Sequence, residues 1–257
     1  MQTISIENKV GHKLAAYLFM PESKPQLFLV VCHGFRGAKE NSGRIFDFAK
    51  RVNELGMGVL AFDFSGSGAS EGDFSTMTLS RQASDLKAVI DYLHIKYDLP
   101  VVLLGRSFGG STAIAAGAED ERVAAFILWS TPVFLEETFT VMILDEFKNL
   151  SSEQPIHIQD DAGEFDLESG FIKDFAHHDI DRYLMAMQNR PVLIIHARDD
   201  EVVPVKNAVY MQQKLPHAQL SLVEEAGHRF LSKTKLREDI TLEWLQKFIR
   251  KTQSGGE

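Results

Sequence analysis

The fold is decided by one stretch, Pro100-Val101-Val102-Leu103-Leu104-Gly105-Arg106-Ser107-Phe108-Gly109-Gly110, followed by the small-residue run Ser111 to Ala118. Pro100 to Leu104 is a short apolar run, the pattern of a strand buried on both faces. Ser111 to Ala118 is predicted to be a helix whose alanines let it pack closely on a sheet. The junction, Gly105-Arg106-Ser107-Phe108-Gly109, fits Gly-x-Ser-x-Gly. A strand that turns sharply into a helix strains its central residue, and small neighbours on both sides let strand and helix approach. Such a turn pushes the Ser107 hydroxyl into the open and aims the first amides of the helix at whatever binds beside it. An ordinary strand–helix turn with a capping serine is the plainer alternative, and the flanking strand and helix argue against it.

Outward from this junction the same alternation continues. Upstream, Thr3 to Glu7 and Leu14 to Met20 read as strands, Pro21 to Pro25 as a turn, and Gln26 to Cys32 as a further buried strand running into His33-Gly34-Phe35-Arg36-Gly37. A helix over Ser42 to Leu55 places Ile45, Phe48, Ala49 and Val52 on one face, and Gly56 stops it. Met57 to Phe62 is a strand, Asp63 to Gly72 a loop, and Leu79, Ala83, Leu86, Ile90 and Leu93 mark a helical face. Downstream, Val123 to Trp129, Pro191 to Ile195 and Leu220 to Val223 read as strands. Val205 to Leu215 and Leu236 to Arg250 read as helices, the last burying Ile240, Trp244, Leu245 and Phe248. Strands alternating with helices imply a mainly parallel central sheet with helices on both faces.

Val133 to Arg190 breaks the rhythm and is too long for a plain loop. It is expected to be an inserted cap subdomain, 133–190, over a core made of 1–132 and 191–257. Within it Met142 to Leu150 and Phe171 to Met187 read as helices, and Ile156 to Gln159 with Glu164 to Leu167 as a hairpin. Its phenylalanines (Phe134, Phe139, Phe147, Phe165, Phe171, Phe175) are expected mostly to form the cap's own core, with a few facing a substrate.

The 257 residues suit one α/β domain with a well-buried core. A formal net charge of −9, with no basic stripe, argues against nucleic-acid binding. The apolar runs Leu27 to Cys32 and Ala124 to Trp129 are far short of a membrane span. Cys32 is the single cysteine, so no intramolecular disulfide forms and a cytoplasmic location is favoured. In an apolar strand it reads as a small buried hydrophobe rather than a nucleophile. Gly66 and Gly68 begin like a dinucleotide fingerprint, but Glu71 stands at the third glycine position. His177, His178, Asp179 and Asp181 lack the spacing of a metal site. No metal or organic cofactor is required. The sequence leaves the oligomeric state, a homodimer included, open.

A serine hydroxyl is a poor nucleophile unless a base takes its proton. Among nine histidines, His228 in Glu225-Ala226-Gly227-His228 follows the last strand and precedes the last helix. That puts it on a loop at the carboxyl edge of the sheet, where open α/β sheets place their sites. The base needs an acid. Asp199 and Asp200 both follow the strand Pro191 to Ile195, and the residues alone do not choose between them. Two backbone amides, of Phe35 and Phe108, are the expected oxyanion donors, with both rings at the acyl pocket. His33 is expected to brace its loop.

With these landmarks in place, the chain resembles the α/β-hydrolase superfamily over nearly its whole length. Within it the chain is most similar to the bacterial cinnamoyl/feruloyl esterase and serine aminopeptidase-like group. His33-Gly34-Phe35, Asp63 to Gly72, Gly105 to Gly109, and His196 to Pro204 with Gly227-His228 carry the match. In such relatives the acid is followed by two residues and then Val-Pro, which selects Asp200 before Glu201-Val202-Val203-Pro204. Two positions depart from the pattern: Ala197 replaces a glycine, and Arg106 stands where histidine is common. The resemblance implies a serine carboxylesterase with catalytic Ser107, Asp200 and His228, acting on small acyl or aryl esters through an acyl-enzyme. A peptidase or thioesterase on the same triad is the nearest rival. A non-catalytic receptor on this fold is the rival of another class.

Overall fold

The computed structural model describes residues 1–142, 155–160 and 163–254. The chain opens with β1 (Gln2–Glu7), β2 (Lys13–Phe19) and β3 (Phe28–Cys32), then α1 (Ile45–Asn53) and β4 (Gly58–Phe62). Next come α2 (Leu79–Tyr97), β5 (Val101–Arg106), α3 (Phe108–Gly117) and β6 (Val123–Trp129). Between β6 and β9 lie α4 (Leu135–Met142), the hairpin β7 (Ile156–Asp160) and β8 (Gly163–Leu167), α5 (Gly170–Asp174) and α6 (Ile180–Ala186). The chain finishes with β9 (Val192–Ala197), α7 (Lys206–Lys214), β10 (Gln219–Val223) and α8 (Thr234–Ser254).

The central sheet has the order β1-β2-β4-β3-β5-β6-β9-β10. β1 pairs antiparallel with β2, and β2 antiparallel with β4. All other neighbours pair in parallel, so the chain belongs to the α/β class as expected. Strand periodicity builds the layers. In β3, Phe28, Val30 and Cys32 face the cluster that also takes Leu86 and Ile90 of α2, Ile114 of α3 and Met211 of α7. Leu29 faces the opposite cluster, with Ile45, Phe48 and Val52 of α1 and Leu245 and Phe248 of α8. Both faces are covered, which is why these strands read as continuous apolar runs rather than alternating ones. No described helix is long and apolar enough to cross a membrane.

Two boundaries differ from expectation for physical reasons. α3 starts at Phe108, not Ser111, because Ser107 is itself the N-terminal flanking residue; Gly109 and Gly110, poor helix formers, hide its first turn. The run Phe171 to Met187, read as one helix, is α5, a 3-10 turn over Phe175–His177, and α6. Asp179 starts α6 afresh by accepting a hydrogen bond from the Arg182 amide at 3.0 Å. The expected hairpin is present, with Ile158 paired to Phe165. Met142 is the last described residue of α4; the rest of the helix expected to Leu150 lies outside the described residues, as does Phe147.

Candidate active site

The sheet order fixes where a site can form. From β3 the chain crosses to β4 on one side, then jumps back over β3 to β5 on the other. The loops after β3 and β5 therefore part at a crevice at the carboxyl edge. The β3 loop carries His33, Gly34 and Phe35, and the β5 turn carries Ser107. The loops after β9 and β10 bring Asp199, Asp200 and His228 to the same edge.

Ser107 sits in the turn at φ 51° and ψ −126°, a strained conformation for a residue with a side chain. The close approach that forces it is visible in the glycines. A Cβ on Gly105 would lie 2.4 Å from the Gly109 carbonyl oxygen, and one on Gly109 would lie 2.3 Å from that of His33. The Ser107 amide donates to the Trp129 carbonyl at 2.7 Å, tying the turn to β6. Its hydroxyl makes no capping bond to α3. It lies instead 3.1 Å from His228 Nε2.

His228 Nδ1 lies 3.0 Å from both Asp200 carboxylate oxygens. An ionised carboxylate only accepts, so Nδ1 carries the proton and Nε2 offers its lone pair toward Ser107. The Asp200 Oδ1 atom also accepts from the amides of Val202 at 3.0 Å and Val203 at 2.7 Å. Burial would raise this carboxyl's pKa, but the His228 hydrogen bond and charge and the Val203 amide outweigh it and hold it below the usual carboxylate value.

Asp199 goes elsewhere. Its exposed carboxylate accepts from the Ala226 amide at 3.0 Å and the Gly227 amide at 3.3 Å, which shapes the turn presenting His228. Two residues of the stretch His196 to Pro204 support the site in roles the sequence reading did not assign them. His196, fully buried, donates from Nε2 to the Val203 carbonyl at 2.8 Å and stands 3.4 Å from Asp200 Oδ2. Burial holds its imidazole pKa below the ordinary value. Glu201 accepts from the His228 amide at 3.0 Å. Their only signal in the sequence was membership of the same short stretch as Asp200.

His33 braces its loop. The Phe64 amide donates to its Nε2 at 3.1 Å, so Nδ1 carries the proton and donates to the Gly34 carbonyl at 2.8 Å. Gly34 lies against the nucleophile turn, where a Cβ would come within 3.2 Å of the Ser107 Cβ. Phe108 begins α3, so its N–H is among the helix's first donors without an intrahelical partner. The two rings share Phe139 and Phe171 as neighbours but differ in whether they reach the cavity. Phe35 lines a cavity of about 540 Å³ together with Ser107, Trp129, Phe139, Val203 and His228. The Phe108 ring, expected at the pocket, is buried instead against Phe139, Phe171 and Phe175, at centroid separations of 5.1, 5.6 and 6.2 Å.

Phe139, Phe171 and Phe175 pack on one another with Leu135, Ile158 and Leu167, so these rings form mostly a core of 133–190 itself, and the same cluster also takes in Phe108, Met77 and Leu79 of the rest of the molecule. Phe134 contacts Tyr210 at 4.8 Å. His178 lies 2.9 Å from the Ser80 hydroxyl and 3.3 Å from Asp174. Among the described residues no cluster of three His, Cys, Asp or Glu side chains is arranged to hold a metal ion. Cys32 is fully buried, and burial pushes its thiol pKa far up.

Comparison with known proteins fits this architecture. The family described as serine aminopeptidase, S33, matches over residues 23–154, and the α/β hydrolase fold family over 145–232. Human palmitoyl-protein thioesterase ABHD10, mitochondrial, is 26% identical over 192 residues, covering 71% of this chain and 61% of that protein. The match therefore spans about three fifths of that relative's length. Monoglyceride lipase of Rattus norvegicus is 30% identical over 142 residues, 53% of this chain and 46% of the lipase. Among solved structures, Est1E from Butyrivibrio proteoclasticus with bound ferulic acid superposes with a TM-score of 0.78 at 23% identity, over 98% of this chain and 99% of that one.

Proposed function

The chain belongs to the serine aminopeptidase, S33, family of α/β-hydrolases, and from that premise we propose that it is a carboxylic ester hydrolase using Ser107, His228 and Asp200. The Ser107 hydroxyl carries this reading: it ignores the helix end beside it and points at a histidine whose other nitrogen rests on a buried carboxylate.

In the proposed reaction the Ser107 Oγ–H proton passes to His228 Nε2 as Oγ bonds to the ester carbonyl carbon. The carbonyl oxygen becomes an oxyanion held by the amides of Phe35 and Phe108. The intermediate collapses, the bond to the alcohol oxygen breaks, and His228 gives its proton to that oxygen. Water then repeats the sequence: one proton goes to Nε2, hydroxide adds to the acyl carbon, and Ser107 leaves with its proton restored. Asp200 keeps the imidazole in the right tautomer and stabilises the imidazolium.

A small acyl or aryl ester, of feruloyl type or smaller, suits a 540 Å³ cavity walled by Phe35, Phe139 and Trp129. Residues 133–190 act as the cap of this pocket, contributing Phe139 to its wall, with 1–132 and 191–257 as the core. The same triad serves amides and thioesters, so leaving groups decide between them: an aryl ester should turn over faster than an aminoacyl anilide or a thioester. The first test is labelling by a fluorophosphonate, located by peptide mass spectrometry. The expected adduct is on Ser107 and is lost in Ser107→Ala. A folded protein without an adduct rejects the hydrolase reading in favour of a receptor.

A further inference from the structure

The cavity beside Ser107 has a charge that the rest of the molecule does not. The chain carries a net −9. Yet Arg36, Lys39, Arg44, Arg106 and Arg229 line this cavity, and among the described residues no Asp or Glu does. Their partners separate structural from available charge. Lys39 is answered by Asp63 and Glu40, at 2.7 and 2.8 Å, and Arg36 lies over the Phe165 ring, 4.2 Å from its centroid.

Arg106 is different. Among the described residues its Nη1 reaches only the Asn41 side-chain oxygen, at a long 3.4 Å, and its buried Nε has no partner. Arg44 donates to a neutral group, the Thr234 hydroxyl, at 3.1 Å. Behind the Trp129 wall, 4.1 Å from that ring, lies Arg237. It is 1% exposed, and among the described residues its Nε and Nη1 atoms have no partner. The acid next to it in sequence, Glu238, pairs with Arg51 at 3.2 Å. Burial, then the like charges of Arg229 and Arg44, hold the Arg106 pKa below the ordinary guanidinium value. Burial and Arg106 bring Arg237 down to about 9.

Guanidinium groups crowded in this way, with donors unspent, are a site in want of an anion. We propose that the cavity selects esters bearing a negatively charged substituent, a carboxylate or a phosphate, which Arg106, Arg44 and Arg229 hold while the ester lies at Ser107. This rests on the ester-hydrolase reading above. The cavity's size fits a small molecule, and the protein's overall negative charge disfavours a polyanion.

The test uses three matched substrates: the mono-4-nitrophenyl ester of adipic acid, the methyl-capped version of that ester, and an analogue ending in phosphate. The expected kcat/KM for at least one anionic ester is ten or more times that for the neutral one. The ratio should fall about tenfold in Arg106→Gln and severalfold in Arg229→Gln, whose exposed position spares the fold. It should also shrink in 0.5 M salt. Which anion wins says whether carboxylate or phosphate is preferred. A neutral ester cleaved as fast as both anions, or a ratio untouched by both substitutions, overturns the inference. If no ester is cleaved, the hydrolase reading fails separately, and calorimetric binding of the same three esters decides. Tighter binding of an anion, weakened by Arg229→Gln, sustains the inference, and equal binding of all three overturns it.

Discussion

At the residue scale, the division of labour between two adjacent aspartates is the sharpest statement of how the site works. Asp200 meets the imidazole of His228, while Asp199 meets the backbone of the turn that carries it. Asp200→Asn should lower kcat about 10⁴-fold, because an amide no longer enforces the productive tautomer. Asp199→Asn keeps an oxygen able to accept the same two amide bonds, so its activity should stay within about tenfold, or ~1.4 kcal/mol. A pH series of urea unfolding adds a second readout. The folded-state pKa of Asp200 is depressed, so its ionisation stabilises the fold above the ordinary carboxylate value of about 3.9. That contribution fades as pH falls through the lower folded value. The stability gap between wild type and Asp200→Asn should accordingly close in acid. Sequence reasoning reached Ser107 and His228 because a turn motif and a strand-end loop each mark one residue. It could not separate two neighbouring loop carboxylates without the family register, since loop backbone decides which one turns inward. The arginines of the cavity were less legible still: Arg36, Arg44, Arg106 and Arg229 come from four separate segments and converge only in three dimensions.

At the scale of elements, the loops after β3 and β4 are joined by a buried ion pair. Asp63 accepts from the Lys39 amide at 2.6 Å, the Lys39 ammonium at 2.7 Å and the Ala69 amide at 2.9 Å. Gly68 packs so close that a Cβ there would sit 2.3 Å from an Asp63 carboxylate oxygen. Asp63→Ala would strand Lys39 with only the half-buried Glu40, at a cost of about 3–5 kcal/mol as for other broken buried pairs. Denaturant midpoints would read that loss. Activity should fall further than stability alone explains, because Phe35 lies on the loosened loop. Elements with one clear apolar pattern are legible in the sequence, α1 from its helical spacing and β3 from its unbroken apolar run. The stretch after β8 is not. Its apolar residues Phe171, Phe175, Ile180 and Leu184 run almost at helical spacing, and only the five-residue step from 175 to 180, with Asp179 before it, betrays a restart.

At the scale of the molecule, the sheet is a rigid platform, and everything chemical is delivered to one edge of it by separate loops. The alternation of strands and helices made this architecture readable, because each crossover is local in sequence. The packing of Phe139, Phe171 and Phe175 onto Phe108 was not readable, since it joins segments far apart in the chain. The sole thiol, Cys32, is sealed inside β3 and its acidity suppressed, so the surface of the native protein is blank to maleimides. Folded wild-type protein should take up no label. Glu168→Cys, at an exposed position just after the hairpin, should take up one per chain. A fluorophore there would have no background to compete with. Its spectrum on adding ester would then report, from a single known address, whether the phenylalanine cluster that supplies Phe139 to the cavity wall stays put or parts during turnover.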